Sequence, residues 1–400
     1  LHFQKLIVDA VARGGLAPAA AAAPAVSQII PLLPDASAVP DAERNAYVDL
    51  EIFKIEPESE IIRSFYLRRG DGKPLDPWVA GQFLPIRVKV PGEAQPVLRT
   101  FTLSTTPNPD HYRLSIRRGG ESSLISRYLH DHARPGLHIE AMTPRGKFTL
   151  APESQRPVVF VSGGVGITPM IAMAGHIVEE GRRTGKYRPI WFVHGANNSR
   201  VQAFGAHLRE LAAQHPAMKL HTRYSQPGET DRLGVTHDGE GHVTIDVLKG
   251  LLPFDDYDFY LCGPPPFMQS LYDGLAGIGV RRERIHYESF GGGTALKPEA
   301  KAETPAARAG DGAVPVRFAK SAVTAEWSRE RGSLLELAEA VGLAPVFGCR
   351  SGICGTCAIR IASGAVQYIE EPLAPRGEGQ VLLCCSVPAP DATAGIVLDL

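Results

Sequence analysis

The sequence predicts a multidomain chain: an antiparallel β-barrel, a doubly wound α/β domain and a small α+β domain in series. Three observations predict it. Short alternating apolar segments, punctuated by turn residues, begin at Tyr47. From Pro157 onward, continuous apolar runs alternate with stretches of helical periodicity. A polar, Pro/Ala-rich, aperiodic stretch, "GTALKPEAKAETPAARAGDGA", then sets off the last part. The expected boundaries are a leader at 1–45, the barrel at 46–152, the α/β domain at 153–292, a linker at 293–313 and the final domain at 314–400. A chain of 400 residues suits that count at roughly 150 residues per domain.

In the barrel, "YVDLEIFKIEP", "IIRSFYLRR", "QFLPIRVKV", "RTFTLSTTP" and "YRLSIRR" read as strands. "GDGKP", "PGEAQP" and "PNPD" read as the turns between them. "SLISRYLHDHA" breaks the alternation and predicts one helix, with two more strands after it. In the next domain "PVVFVSGG" is apolar throughout, as in a strand buried on both faces. "PMIAMAGHIVEEGRR", "AFGAHLRELAAQH" and "MQSLYDGLAGIGV" are helical; "PIWFVHGA", "MKLHTRYS" and "DFYLCGP" are strands. In the final domain "VPVRFAKSAVTAEW" predicts a hairpin and "SLLELAEAVGL" a helix, with short strands beyond. No internal repeat is visible.

Lys and Arg total 42 against 43 Asp and Glu, so bulk attraction to nucleic acid or an anionic membrane is not expected. No uncharged apolar run is long enough to span a bilayer. In the leader, Asp9 and Arg13 interrupt the apolar stretch, so no signal peptide is expected. The chain opens on Leu1, which leaves open whether it is processed or part of a longer fusion.

Of six cysteines, five fall at or after Cys349. A disulfide scaffold would spread them, whereas this clustering points to a metal site in a reducing, cytoplasmic setting. "CRSGICGTC" places Cys349, Cys354 and Cys357 at C-x4-C-x2-C, with Cys384 and Cys385 further on. That is the plant-type spacing for a 2Fe-2S cluster. The glycines between let the backbone fold closely around the sulfides. A structural zinc site is the competing reading, but it usually shows two close cysteine pairs.

"FVSGGVGITPM" follows a buried strand and opens a helix, so Gly163, Gly164 and Gly166 are placed to bring backbone N–H groups to a pyrophosphate. "YLCGPPPFM" ends a later strand of the same sheet, which puts both stretches on one edge.

These stretches, with "RTFT", "SRYLHDH", "PRGKF" and "HYESFG", resemble the ferredoxin-NADP reductase superfamily, and in particular the reductase part of flavohaemoglobins. "CRSGICGTC…LLCCSVP" resembles plant-type ferredoxins, which have a β-grasp fold, and the domain order is that of phthalate-dioxygenase-reductase-type proteins. The resemblance implies a flavin-binding barrel. Arg99 would pair with flavin phosphate, Thr100 and Phe101 would line the flavin, and Thr102 would lie near its reactive nitrogen. Phe101 stands where the family usually has Tyr. Ser126 would face the flavin phosphate; Glu288 and Phe290 would lie over the flavin. Gly163, Gly164, Gly166, Thr168 and Pro169 would hold the nicotinamide dinucleotide's pyrophosphate, and Cys262, Gly263 and Pro264 would meet its nicotinamide. Thr102, Cys262 and Glu288 are the expected catalytic residues. Cys349, Cys354, Cys357 and Cys384 are the expected iron ligands: Cys384 precedes Pro388 at the family offset, and Cys385 is the alternative fourth ligand.

The implied cofactors are a 2Fe-2S cluster, FAD with FMN open, and NADH with NADPH open, since Ser199 and Arg200 could receive a 2′-phosphate. The implied function is NAD(P)H-dependent electron transfer through flavin and cluster to an oxygenase, a haem protein or a domain fused upstream, with no nucleic-acid or membrane partner. The 45-residue leader is too short and too Ala/Pro-rich for the haem domain of flavohaemoglobins. A redox sensor with little turnover is the alternative.

Overall fold

The computed structural model describes residues 46–93, 96–120, 123–151, 154–288, 290, 313–343, 345–347, 352–353, 355, 357–369, 372, 374, 376–390, 392 and 395–400. The expected leader, nearly all of the expected linker, and both Cys349 and Cys354 lie outside the described residues.

The first sheet comprises β1 (Val48–Pro57), β2 (Ile62–Arg69), β3 (Phe83–Val88), β4 (Val97–Thr102), β5 (Tyr112–Arg117) and β6 (Leu137–Ala141). All neighbours are antiparallel, in the order β4-β3-β6-β1-β2-β5. A bridge between Leu103 and Leu114 joins the ends of that order and nearly closes a barrel. Inward positions such as Leu50, Ile52, Leu67 and Ile86 are fully buried, as period-two alternation requires. Helix α1 (Leu124–His132) adds Ile125 and Leu129 to that core. One strand, not two, follows α1. Where the second was expected, Pro144 has no N–H to give a ladder, and only Arg145 bridges to Phe83.

The second sheet is parallel, with β7 (Val158–Gly163), β8 (Ile190–Ala196), β9 (Met218–Tyr224), β10 (Gly239–Glu240), β11 (Asp258–Cys262) and β12 (Ile285–Glu288). Its helices are α2 (Ile167–Thr184), α3 (Gly205–Gln214), α4 (Ile245–Leu251) and α5 (Pro265–Gly277). Every residue of β7 is buried, which accounts for its unbroken apolar run. The order β10-β9-β8-β7-β11-β12 means the chain winds outward from β7, then returns to its other side. The topological switch point lies between β7 and β11, where open α/β sheets bind ligands. At the opposite edge Asp258 is clamped by Arg188 (3.2 Å) and Arg284 (3.0 Å), fixing β11 and β12 to the body of the sheet.

The third part contains β13 (Val314–Phe318), β14 (Val323–Trp327), α6 (Leu334–Ala340), β15 (Ala358–Ser363), β16 (Val366–Tyr368), β17 (Gln380–Leu382), β18 (Ser386–Pro388) and β19 (Ile396–Leu398). Five strands form a mixed sheet in the order β14-β13-β19-β15-β17. Helix α6 opens on a capping box in which Ser333 and Glu336 satisfy each other's backbone N–H groups. Its Leu334 and Leu337 pack into the same core as Val316, Phe318 and Leu398.

Candidate functional site

Strands β7 and β11 deliver their ends side by side, with Ser162 paired to Cys262. Gly166 lies so close that a Cβ there would sit 2.3 Å from the carbonyl oxygen of Cys262. Only a glycine lets the first turn of α2 seat against the end of β11. Gly164 is different: its φ is +54°, and a Cβ would meet nothing within 4 Å. It is exposed and leaves a backbone cradle with open space beside it. No side chain caps the N-terminus of α2. An open cradle at a helix N-terminus without a side-chain cap, with the exposed Pro264 adjoining, fits a dinucleotide's pyrophosphate. Thr168 and Pro169 are buried, and the Thr168 hydroxyl donates to the Val165 carbonyl (3.1 Å), so they shape the turn from within.

Cys262 is fully buried in the core shared with Tyr260 and Met170, and Phe290 packs on that core. Glu288 pairs with Cys262 across β11–β12. Burial, and then the Glu288 carboxylate, push the Cys262 thiol well above its ordinary value, so it stays protonated. The same rung continues through Ser162, His194 and Thr222, giving a row of polar side chains from β11 to β9. Ser162 Oγ and His194 Nδ1 are 2.8 Å apart. Burial lowers the His194 pKa to about 4, and its Nε2 has no hydrogen-bond partner among the described residues. His194 is not among the site residues expected from the sequence, although a histidine inside the apolar run "PIWFVHGA" is a visible signal.

On the barrel, Arg99 is exposed and folds back on its own strand, donating to the Leu98 carbonyl (2.7 Å). Phe101 is half-buried against the barrel core. Leu98, Thr100 and Thr102 alternate with these residues and share the other face of β4. Phe83 pairs with Thr102. An exposed guanidinium on one face of β4 and two hydroxyls on the other are polar groups of the kind a phosphate-bearing planar ring takes. Ser126 accepts the Gly119 N–H (3.2 Å) and donates to the Ser123 carbonyl (3.1 Å). Its only proton is thus already used, and the uncapped first turn of α1 is what remains for an anion.

In the third part Cys357, Cys384 and Cys385 are buried. Gly352 has φ +68°, and its N–H donates to Cys384 Sγ (3.3 Å). Cys385 Sγ instead donates to the Leu382 carbonyl (3.7 Å). A backbone donor aimed at one sulfur and buried thiols around a positive-φ loop fit an iron–sulfur cluster. Ile353, inside the cysteine loop, is also buried. It packs with Phe83 and Leu98 of the barrel.

Ser199 and Arg200, weighed for a 2′-phosphate, face acidic groups. Ser199 N–H donates to Asp231 (3.4 Å), and Arg200 lies 3.7 Å from Glu60 of the barrel.

Comparison with known proteins agrees with this layout. Residues 160–273 match the oxidoreductase NAD-binding domain family, and residues 317–389 match the 2Fe-2S iron-sulfur cluster binding domain family. A flavohemoprotein of Xylella fastidiosa is 42% identical over 241 residues, covering 60% of this chain and 58% of that protein. The chain therefore spans less than two thirds of that relative. The flavohem-like FAD/NAD-binding domain of a Vibrio cholerae nitric oxide dioxygenase is 32% identical, with a TM-score of 0.54, covering 61% of this chain and 98% of that one. Phthalate dioxygenase reductase, described as a modular structure for electron transfer from pyridine nucleotides to [2Fe-2S], is 25% identical, with a TM-score of 0.52, covering 89% of this chain and 98% of that one. With a near-closed barrel, an NAD-binding α/β domain and a 2Fe-2S domain in one chain, this protein belongs to the ferredoxin-NADP reductase superfamily, in the form that carries a C-terminal plant-type ferredoxin domain.

Proposed function

We propose that the chain takes hydride from NADH at the β7–β11 edge and delivers single electrons, through the cysteine loop, to an oxygenase or haem protein. Bound flavin, in our reading FAD, supplies the conversion between a two-electron hydride and single electrons, and a 2Fe-2S cluster held by Cys349, Cys354, Cys357 and Cys384 carries them onward. The observation that carries the proposal is the seating of Gly166 against Cys262, which leaves the Gly164 cradle open beside Pro264.

The chain's own residues do the positioning. Gly163, Gly164 and the first turn of α2 would bind the pyrophosphate, and the end of β11 would orient the nicotinamide. Arg99 and the N-terminus of α1 would hold the flavin's phosphate, with Thr100 and Thr102 along its edge. Cys262 is protonated and buried, so it adds no charge where hydride leaves. Phe290, packed over the same core, helps keep water out. Asp231 beneath Ser199 and Glu60 beside Arg200 disfavour a 2′-phosphate, which supports NADH over NADPH. Clustered cysteines support a cytoplasmic, reducing setting. No helix among the described residues is long and apolar enough to cross a membrane.

Anaerobic titration of the purified chain with NADH, and separately with NADPH, followed by visible and electron paramagnetic resonance spectra, tests this. Loss of flavin absorbance and the signal of a reduced 2Fe-2S cluster are expected with NADH first. Bound flavin that neither nucleotide reduces would sink the proposal.

A further inference from the structure

The cysteine loop carries one large apolar side chain, Ile353, between Gly352 and Cys354. Such a residue has no place in wrapping sulfides, where small residues serve. Ile353 is 1% exposed, and among the described residues it packs against the barrel: Phe83, 6% exposed, with Leu98 alongside. Phe83 is the cross-strand partner of Thr102. Its backbone exchanges both hydrogen bonds with Arg145 (2.7 and 2.8 Å), so the surface under Ile353 is fixed. Leu98 lies on the same face of β4 as Thr100 and Thr102.

We propose that Ile353 is a positioning residue: it seats the cysteine loop on the β3–β4 face and thereby sets the rate of electron transfer from the flavin side to the cluster. This rests on the electron-transfer function proposed above. The third part has its own core, separate from the cluster of Ile353 with Phe83 and Leu98, so removing the Ile353 side chain weakens the seat of the loop without emptying the core on either side. Truncating a buried isoleucine shifts such a docking equilibrium by roughly ten- to a hundredfold.

The test uses the full chain with flavin and cluster bound, comparing wild type with Ile353→Ser, Ile353→Val and Leu98→Gln. Each NADH consumed releases one proton and two electrons, taken up by two molecules of ferricyanide or of cytochrome c. Ferricyanide serves as an acceptor from the flavin, cytochrome c as an acceptor from the cluster. The expected result is unchanged ferricyanide reduction and an unchanged resonance signal from dithionite-reduced cluster. Cytochrome c reduction falls about tenfold or more in Ile353→Ser and in Leu98→Gln and is largely kept in Ile353→Val. Small-angle scattering shows a larger radius of gyration for the two impaired variants. Leu98→Gln leaves the cysteine loop untouched, so it separates docking from loop folding. Cytochrome c rates at wild-type level in loaded Ile353→Ser overturn the proposal. So does loss of the cluster in Ile353→Ser with Leu98→Gln unaffected. A wild-type protein that reduces neither acceptor removes the underlying function, and this inference with it.

Discussion

Two glycines two residues apart give opposite predictions. Gly166 has ordinary helical φ (−63°), so backbone strain is no reason for it; the Cys262 carbonyl is. Gly166→Ala must push two backbones apart, costing about 1–3 kcal/mol in stability and, because the loop moves, about tenfold or more in NAD⁺ affinity. Gly164→Ala meets nothing but must hold a left-handed φ, costing roughly 1–2 kcal/mol with no clash. Urea unfolding and calorimetric titration with NAD⁺ separate the two; equal effects on affinity would contradict the steric account. The adjacent cysteines are separable in the same way. Cys384→Ser is expected to lose the cluster, because the Gly352 N–H points at that sulfur. Cys385→Ser is expected to keep it, its thiol being turned to Leu382. Iron content and the visible spectrum decide, and the reverse outcome would move the fourth ligand by one residue. Spacing alone left both cysteines open, since neighbouring residues differ only in side-chain direction.

At the level of elements, most of the strands and long helices were legible because each carries a clean period: alternation in β1, β2 and β5, an unbroken apolar run in β7, helical spacing in α2. The elements missed were short, namely β10, α4 and β12. A two-residue strand has no period, and the four residues of β12 are too few to show one. The polar row across the second sheet was equally illegible, because register between strands far apart in sequence is set by packing. That row has a consequence for pH. His194 stays neutral in the folded protein down to about pH 4, whereas an unfolded chain takes up the proton near 6.5. Between those values the unfolded state binds more protons, so folding stability falls as pH drops from about 6.5 to about 4 and is flat above. The full window is worth about 3 kcal/mol. Burial lowers His176, His221 and His286 in the same direction, so His194→Gln should shrink the loss and not abolish it. Urea midpoints at pH 7.5 and pH 5 for both proteins check this. An unchanged difference would mean His194 is protonated in the fold.

At the scale of the molecule, the three parts read from sequence do not correspond to three independent cores. Ile62, Ala80 and Phe148 of the barrel lie in the same buried cluster as Met170, Met173 and Tyr260 of the nucleotide domain. Strands alternating over 46–152 could reveal a barrel, but not that one wall of it is shared. The ferredoxin part is the opposite case. Phe318, Leu337, Phe347 and Leu383 form a cluster of their own, and among the described residues Ile353 packs with Phe83 and Leu98 of the barrel. Cooperativity follows buried contact, so calorimetry of the holoprotein should show two transitions: barrel with nucleotide domain as one unit, ferredoxin domain as the other. A ligand that binds only the folded form at 100 times its Kd stabilises by about 2.7 kcal/mol. NAD⁺ at that excess should therefore raise the first transition by a few degrees and leave the second in place. Iron removal should lower the second alone. Three transitions would contradict the shared core. A single transition, moved as a whole by both NAD⁺ and iron removal, would mean that the Ile353 contact couples the two halves far more strongly than its three side chains suggest.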